Sequence, residues 1–138
     1  MIDEINILVV EDDEYSYLYL KIVLESLDYK VFRAINGLQA LEMISDTGNY
    51  FKLVMMDYKM PVMNGLEAAL EIKKINPAIP VILQTATYID KKSSEPVFAI
   101  FDDILIKPFT NKDLIEKIKH IFLRQENQSK SKNQFYLM

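Results

Sequence analysis

Polar side chains that could perform chemistry stand at the ends of four apolar segments. The segments are residues 5–10, 52–57, 79–86 and 103–106. The side chains at or just beyond their ends are Glu11, Asp12, Asp13, Asp57, Thr85 and Lys107. Clustered carboxylates repel one another unless a cation lies among them, and hard oxygen ligands open to water suit Mg²⁺. A carboxylate can also attack phosphorus to form an acyl phosphate, and a metal ion, a lysine and a hydroxyl can stabilise the transferring group.

The apolar segments alternate with stretches of helical periodicity. Strands are predicted at 5–10, 30–34, 52–57, 79–86 and 103–106, and helices at 13–27, 36–44, 64–75, 90–101 and 110–125. The helix at 90–101 is the weakest prediction, because Pro96 must lie in its first turns or interrupt it. Continuous apolar runs are typical of parallel strands that are buried on both faces. We therefore predict an α/β fold, a doubly wound five-stranded parallel sheet with helices on both faces.

In an open parallel sheet, ligands bind at the carboxyl ends of the strands. We therefore expect the polar side chains at the strand ends to converge on one edge. Each has an ordinary explanation when it is taken singly: Asp12 or Asp13 could cap a helix, Thr85 could be a plain strand residue, and Lys107 could be a surface charge. A suitable group at each of four strand ends favours a functional site.

Composition excludes several classes of protein. The chain has 138 residues and a net charge of −4, which lacks the basic footprint of a nucleic-acid binder. It has no cysteine and no apolar run of 18 residues, so we expect no thiol chemistry and no membrane insertion, and a cytoplasmic location is compatible with both. Three glycines and no phosphate-binding glycine motif disfavour a nucleotide- or flavin-binding module. We predict one domain at 1–125 and a polar, frayed tail at 126–138.

Four motifs carry a family resemblance. They are ILVVEDD at 7–13, MMDYKMPVMNG at 55–65, ILQTA at 82–86 and ILIKPF at 104–109. Through them the sequence resembles the receiver domain of bacterial two-component response regulators, over residues 5 to about 124. The resemblance implies a flavodoxin-like sheet of order 2-1-3-4-5. It also implies phosphorelay signalling, in which a sensor histidine kinase or a histidine phosphotransfer domain supplies a phosphoryl group and the domain changes conformation to control a downstream protein.

The resemblance assigns roles to the residues at the strand ends. Asp57 becomes the phosphoacceptor, Thr85 donates its hydroxyl to the phosphoryl group, and Lys107 pairs with that group's charge. Glu11 and Asp12 match the acidic pair that holds Mg²⁺, together with Asp57. Phosphorylation and dephosphorylation would be catalysed by the domain itself, without the turnover of a conventional enzyme.

The resemblance also assigns positions around the phosphoacceptor. The backbone carbonyl of Lys59 is the implied further metal ligand, and the Lys59 and Thr87 side chains tune dephosphorylation. Ile104 stands at the switch position, where the family often has Tyr or Phe. Ile104 has no aromatic ring through which Thr85 could be coupled to the outer surface, and backbone shifts of residues 86–92 are the alternative.

The first predicted helix carries a second apolar stripe. Tyr15, Leu18 and Ile22 are spaced by three and four residues and fall on one face. In the family the kinase-side helical bundle docks beside this helix, so the stripe is a candidate docking site for the phosphodonor. Alternatively, these residues pack against Ile118 and Phe122 of the last helix.

Two alternatives to a receiver use the same residues. A phosphohydrolase with an aspartyl nucleophile commonly has a second acid two residues after that nucleophile, whereas this chain has Lys59 there. A degenerate receiver that acts only as a protein-interaction module is a further alternative. The leading hypothesis is a single-domain regulator, or the receiver of a hybrid histidine kinase, with no direct binding of nucleic acid.

Overall fold

The computed structural model describes residues 4–87 and 99–137. Its five strands form one parallel sheet in the order β2-β1-β3-β4-β5, which confirms the predicted fold class and topology. All of the strands were predicted, with ends that differ by two residues at most. Their bounds are Asn6–Val10 for β1, Lys30–Ala34 for β2, Phe51–Asp57 for β3, Val81–Thr85 for β4 and Asp103–Ile106 for β5.

Four α-helices lie in the described part of the chain. They are α1 at Glu14–Ser26, α2 at Gly37–Thr47, α3 at Gly65–Ile75 and α4 at Asn111–Leu137. The predicted helix at 90–101 lies mostly outside the described residues. None of the helices in the described ranges combines the length and the hydropathy that a bilayer span requires.

The described residues up to Lys107 form one compact unit, and those from Pro108 onward form a second. In the first unit, α2 and α3 share a core with alternate residues of the strands. Strand residues next to these face the opposite way, because the side-chain period of a strand is two. Right-handed crossovers place α1 on that opposite face. The core on the α2 and α3 side includes Leu8, Val10, Ala40, Ile44, Val54, Met56, Ala68, Ile72, Val81 and Leu83.

The second unit contains α4, and Thr110 and Asp113 cap its start. The Asp113 N–H donates to Thr110 Oγ1 at 3.1 Å, and the Thr110 N–H donates to Asp113 Oδ2 at 3.2 Å. The helix runs to Leu137, so its predicted end at Gln125 is wrong. The physical reason is that residues 126–134 contain no Gly or Pro, and Glu, Gln and Lys are good helix formers. The division of the chain at residue 125 stays a prediction.

The end of α1 depends on a residue in the left-handed conformation. Asp28 has φ 67°. Its N–H donates to Glu25 O at 3.0 Å, and the Tyr29 N–H donates to Leu24 O at 3.2 Å, which together form a Schellman motif. Glycine usually occupies this position, because a side chain costs about 1 kcal/mol there.

Replacing Asp28 with glycine should therefore stabilise the protein. We expect Asp28→Gly to raise the free energy of unfolding by about 0.5–1 kcal/mol, since glycine relieves the strain but adds some freedom to the unfolded chain. Urea denaturation measures the difference. The control is Glu42→Gly, at an exposed position inside α2, which should lower the free energy of unfolding by about 1 kcal/mol. A loss of stability in Asp28→Gly would contradict this account of the helix end.

Candidate functional site

The register of the sheet brings the ends of its central strands to one edge. Val10 of β1 pairs with Met56 of β3, and Asp57 pairs with Gln84 of β4. The residues that follow β1 therefore lie beside Asp57 at the same edge. Since side chains alternate along a strand, the side chain of Asp57 lies on the face opposite to Met56 and the α2 and α3 core.

Three carboxylates meet at this edge. One oxygen from each of Glu11, Asp12 and Asp57 lies within 4.8 Å of the others. Glu11 is 1% exposed and Asp57 is 8% exposed, whereas Asp12 is exposed to solvent. Glu11 Oε2 is buried without a hydrogen-bond partner in the described part of the chain. Such an oxygen is costly to bury unless a proton or a cation satisfies it. Three hard oxygen donors, one of them open to water, fit Mg²⁺.

Lys107 supplies the nearest positive charge. Its Nζ lies 3.3 Å from Glu11 Oε1 and 3.3 Å from Asp57 Oδ1. Lys107 is 96 residues from Glu11 along the chain and 50 residues from Asp57. Burial lowers the pKa of the Lys107 ammonium, but the charges of Asp57 and Glu11 raise it by more, so that its pKa lies above the ordinary value. The ammonium therefore stays charged at neutral pH.

This environment shifts the pKa of the Glu11 carboxyl. Burial, followed by the neighbouring Asp57 carboxylate, raises the pKa of Glu11 to about 7, although the Lys107 ammonium opposes the shift. Without a metal ion, Glu11 therefore holds a proton for part of the time near neutral pH. Bound Mg²⁺ would favour the ionised form, because the carboxylate must lose its proton to bind a metal ion.

Asp13 has a different role from Glu11 and Asp12, which precede it. Its Oδ2 accepts the Ser16 N–H at 2.8 Å and caps α1. This hydrogen bond holds the pKa of the Asp13 carboxyl below its usual value. The structure therefore separates the helix cap at Asp13 from the carboxylates of the cluster.

Thr85 lies at the end of β4 and is 2% exposed. Its Oγ1 accepts the Thr87 N–H at 3.1 Å, and its carbonyl accepts the Lys107 N–H at 2.8 Å. Ile104, at the predicted switch position, is 8% exposed and belongs to the core shared with α2 and α3. The Lys59 and Thr87 side chains are exposed. The roles assigned to these four residues stay predictions.

Gly65 is a positioning residue that the sequence reasoning treated only as a helix start. A Cβ atom at Gly65 would lie 2.1 Å from the backbone oxygen of Asp57. The Gly65 N–H also donates to Tyr58 O at 2.8 Å. Any side chain would push α3 away from the end of β3, so the glycine fixes the backbone around Asp57. The Asn-Gly pair after the strand end was the only signal for this role.

Gln84 is the second residue that was missed. It is 1% exposed, and neither Nε2 nor Oε1 has a hydrogen-bond partner among the described residues. It pairs with Asp57 in the sheet, so a buried amide stands beside the reactive edge. The available signal was a second polar residue beside Thr85 in the apolar run IPVILQTA.

The apolar stripe on α1 is open to solvent. Tyr15 is 83% exposed, Ile22 is 68% exposed and Leu18 is 40% exposed. The buried residues of the same helix include Leu20, Val23 and Leu24. This exposure is what the docking hypothesis requires.

Comparison with known proteins connects this geometry to a family. The family model for the response regulator receiver domain matches residues 7–119. The chain is 40% identical over 106 residues to the transcriptional regulatory protein ZraR of Klebsiella oxytoca, which covers 77% of this chain and 24% of that protein. The chain spans between about a quarter and a half of the curated relatives that it matches first.

Solved structures share the fold. The response regulator TrrA of Thermotoga maritima, in complex with Mg²⁺-BeF, has a TM-score of 0.75 and 34% identity, and the match covers 85% of this chain and 98% of that one. The receiver domain of the sensor histidine kinase PA1611 of Pseudomonas aeruginosa has a magnesium ion coordinated in its active site cleft. Its TM-score is 0.75 and its identity is 27%, with 86% of this chain and 97% of that chain covered.

The shifted pKa of Glu11 predicts a pH dependence of stability in EDTA. The folded state holds a proton that the unfolded chain releases above its ordinary pKa of 4.5. The contribution of Glu11 to stability is therefore present below pH 4.5 and is lost as the pH rises to about 7. The loss is on the order of 3 kcal/mol. Relative to Glu11→Gln, which keeps the neutral form, the wild-type protein should become steadily less stable across this window.

Urea denaturation at several pH values measures this difference. Glu14→Gln removes an exposed carboxylate from α1 and serves as the control. A difference between Glu11→Gln and wild type that stays constant from pH 4.5 to 7 would show that Glu11 titrates normally in the folded protein. Saturating Mg²⁺ should reverse the trend for the wild type, because the ion stabilises the deprotonated folded state.

Proposed function

The chain belongs to the response regulator receiver domain family, and from this premise we propose that it is a phosphorylation-switched receiver with Asp57 as its phosphoacceptor. The observation that carries the proposal is the pairing of Lys107 Nζ with both Asp57 and Glu11 at the edge where three carboxylates meet. Such an edge offers a nucleophilic oxygen, a metal site and a fixed cation within one small region. Receiver domains partner with sensor kinases or phosphotransfer proteins, and they are not conventional turnover enzymes.

The reaction that we propose is transfer from a phosphohistidine. An Asp57 carboxylate oxygen attacks the phosphorus, and a P–O bond forms while the P–N bond to the imidazole breaks. The imidazole nitrogen keeps the bonding pair and takes up a proton. Mg²⁺, held by Glu11, Asp12, Asp57 and the backbone carbonyl of Lys59, would supply positive charge to the phosphoryl oxygens.

Lys107 and Thr85 stabilise the transferred group. The Lys107 ammonium already lies 3.3 Å from Asp57 Oδ1, so a small movement would let it pair with a phosphoryl oxygen. The Thr85 hydroxyl accepts a hydrogen bond from Thr87 and still has its own proton to donate. Its donation to a phosphoryl oxygen would draw the end of β4 toward Asp57. Both groups act on the charge of the phosphoryl group, which is where phosphoryl transfer is assisted.

The conformational change on phosphorylation would be transmitted through the backbone after Thr85. Ile104 is buried in the core, where it replaces the aromatic side chain often found at this position in the family. Its β-branched side chain has few rotamers and no polar end that could exchange partners. A movement of Thr85 would instead shift Thr87, whose N–H is bonded to the Thr85 hydroxyl. The Lys59 and Thr87 side chains are exposed, and we propose that they control access of water to the acyl phosphate.

The stripe formed by Tyr15, Leu18 and Ile22 is the proposed docking surface for the phosphodonor. It begins one residue after Glu14, the first residue of α1, and Asp13 links that helix to the acidic cluster. A helical partner seated on α1 would therefore reach the reactive edge. The transfer chemistry is compatible with the cytoplasm, and we propose no direct contact of this domain with nucleic acid. The downstream target would be a protein.

The phosphoacceptor is tested by intact-protein mass after incubation with acetyl phosphate and Mg²⁺. We expect one phosphoryl adduct in the wild type, its loss in EDTA and its absence in Asp57→Asn. Asp13→Asn is the matched control, because it removes a nearby acid that caps a helix, and it should be labelled normally. Labelling of Asp57→Asn at the wild-type level would exclude Asp57. If no protein is labelled and beryllofluoride does not bind, the chain is a degenerate receiver.

The docking surface is tested by comparing two phosphodonors. Ile22→Asp should slow transfer from the purified kinase or phosphotransfer protein about tenfold, because it places a charge in an apolar contact. Labelling by acetyl phosphate should be unchanged, because that reaction needs no docking. Leu38→Asp, at an exposed apolar position on α2, is the control. Equal transfer rates for Ile22→Asp and wild type would exclude the stripe as the docking surface.

A further inference from the structure

We propose that Arg33 is a positioning residue for the magnesium site, because its guanidinium fixes the backbone of the loop that carries Glu11 and Asp12. The inference rests on the proposed function, since it concerns the metal site used there. It adds a residue that lies on β2, at the edge of the sheet, and outside the four motifs of the sequence.

The guanidinium spans two consecutive carbonyl groups. Arg33 Nε–H donates to Glu11 O at 3.1 Å, and the Nη2–H donates to Asp12 O at 3.2 Å. The planar fork of an arginine matches two acceptors in a fixed relative orientation, which a lysine ammonium does not. One side chain therefore determines the orientation of both peptide groups.

The backbone of β2 also forms a hydrogen bond with the loop that carries Glu11 and Asp12. The Glu11 N–H donates to Ala34 O at 3.0 Å, and Asp13 begins α1 as its cap. Residues 11 and 12 thus lie between the end of β1 and the capped start of α1. The Ala34 carbonyl and the Arg33 guanidinium of β2 both form hydrogen bonds with their backbone. Since the direction of a carboxylate follows its Cα–Cβ bond, fixing these peptide groups also aims the Glu11 and Asp12 side chains.

Arg33 is itself held in place by an aromatic ring. Its Cζ lies 4.9 Å from the centroid of the Tyr17 ring, in the range of a cation–π contact. Tyr17 belongs to the first turns of α1 and is partly buried, as is Arg33. The ring reduces the number of positions open to the guanidinium and so favours the bridged geometry.

The charge of Arg33 and its positioning role predict opposite effects on Mg²⁺ binding when the side chain is replaced. A nearby positive charge repels a bound cation, so its removal alone would strengthen Mg²⁺ binding, most of all at low salt. Loss of an orienting contact behind a metal ligand weakens binding, typically by tenfold or more. The guanidinium bonds to backbone carbonyls and leaves the carboxylate oxygens free to bind a metal ion. We therefore expect the positional effect to be the larger one.

The test is a titration of the full chain with MgCl₂ at constant ionic strength, followed by backbone amide chemical shifts. Arg33→Gln should weaken Mg²⁺ binding about tenfold. Arg33→Lys keeps the charge but loses the fork, and it should also weaken binding. The control is Lys30→Gln, which removes one positive charge from the same strand and whose ammonium lies over Phe32 at 5.3 Å. It should bind Mg²⁺ like the wild type.

The outcomes separate this inference from the proposed function. Weaker binding by both Arg33 variants, with the folded spectrum retained in EDTA, supports the positioning role. Unchanged or tighter Mg²⁺ binding by Arg33→Gln overturns the positioning role. If Arg33→Gln weakens binding but Arg33→Lys does not, the effect is due to charge, and the positioning role is overturned as well. If Arg33→Gln does not fold, the result for Arg33→Lys decides. A wild-type chain that takes up no Mg²⁺ overturns the metal site and this inference together.

Discussion

Repulsion among carboxylates is the constraint on which the reactive edge depends. Glu11, Asp12 and Asp57 bring like charges within 4.8 Å, and two of these residues are almost fully buried. Two adjustments make this arrangement tolerable without a metal ion: Lys107 lies between Glu11 and Asp57, and the pKa of Glu11 rises to about 7. Both adjustments are partial, and Glu11 Oε2 remains without a partner in the described part of the chain. The edge is therefore suited to accept either a divalent cation or a proton, and the two compete.

Several contacts around the reactive edge are made to backbone oxygens. Gly65 lets α3 begin against the backbone oxygen of Asp57, and Arg33 bonds to the two carbonyls that follow β1. Lys107 donates its own N–H to the Thr85 carbonyl, so the residue that pairs with Asp57 through its side chain also joins β5 to the end of β4. Gly65 and Arg33 thus act on the peptide groups that carry the reactive carboxylates, whereas Lys107 contacts the carboxylates of Glu11 and Asp57 themselves.

Much of this arrangement could be predicted from the sequence, because a parallel sheet turns strand ends into neighbours. The apolar runs that end in Glu11, Asp57 and Lys107 were sufficient to place those side chains on one edge. Arg33 could not be predicted, since its role depends on the β1–β2 register and on two carbonyls that have no sequence pattern. Gln84 was hidden in an apolar strand. The end of α4 was predicted too early, because a polar segment was interpreted as a tail although it contains neither glycine nor proline.

The distance along the chain between Lys107 and its two partners has a consequence for biosynthesis. The ammonium is contributed by residue 107, whereas the carboxylates that it pairs with belong to residues 11 and 57. A nascent chain that has emerged from the ribosome only as far as β4 holds its acids without their cation. Its reactive edge is also incomplete, because β5 has not yet added its strand to the sheet. Competence to receive a phosphoryl group would therefore arise only after β5 and Lys107 have been synthesised.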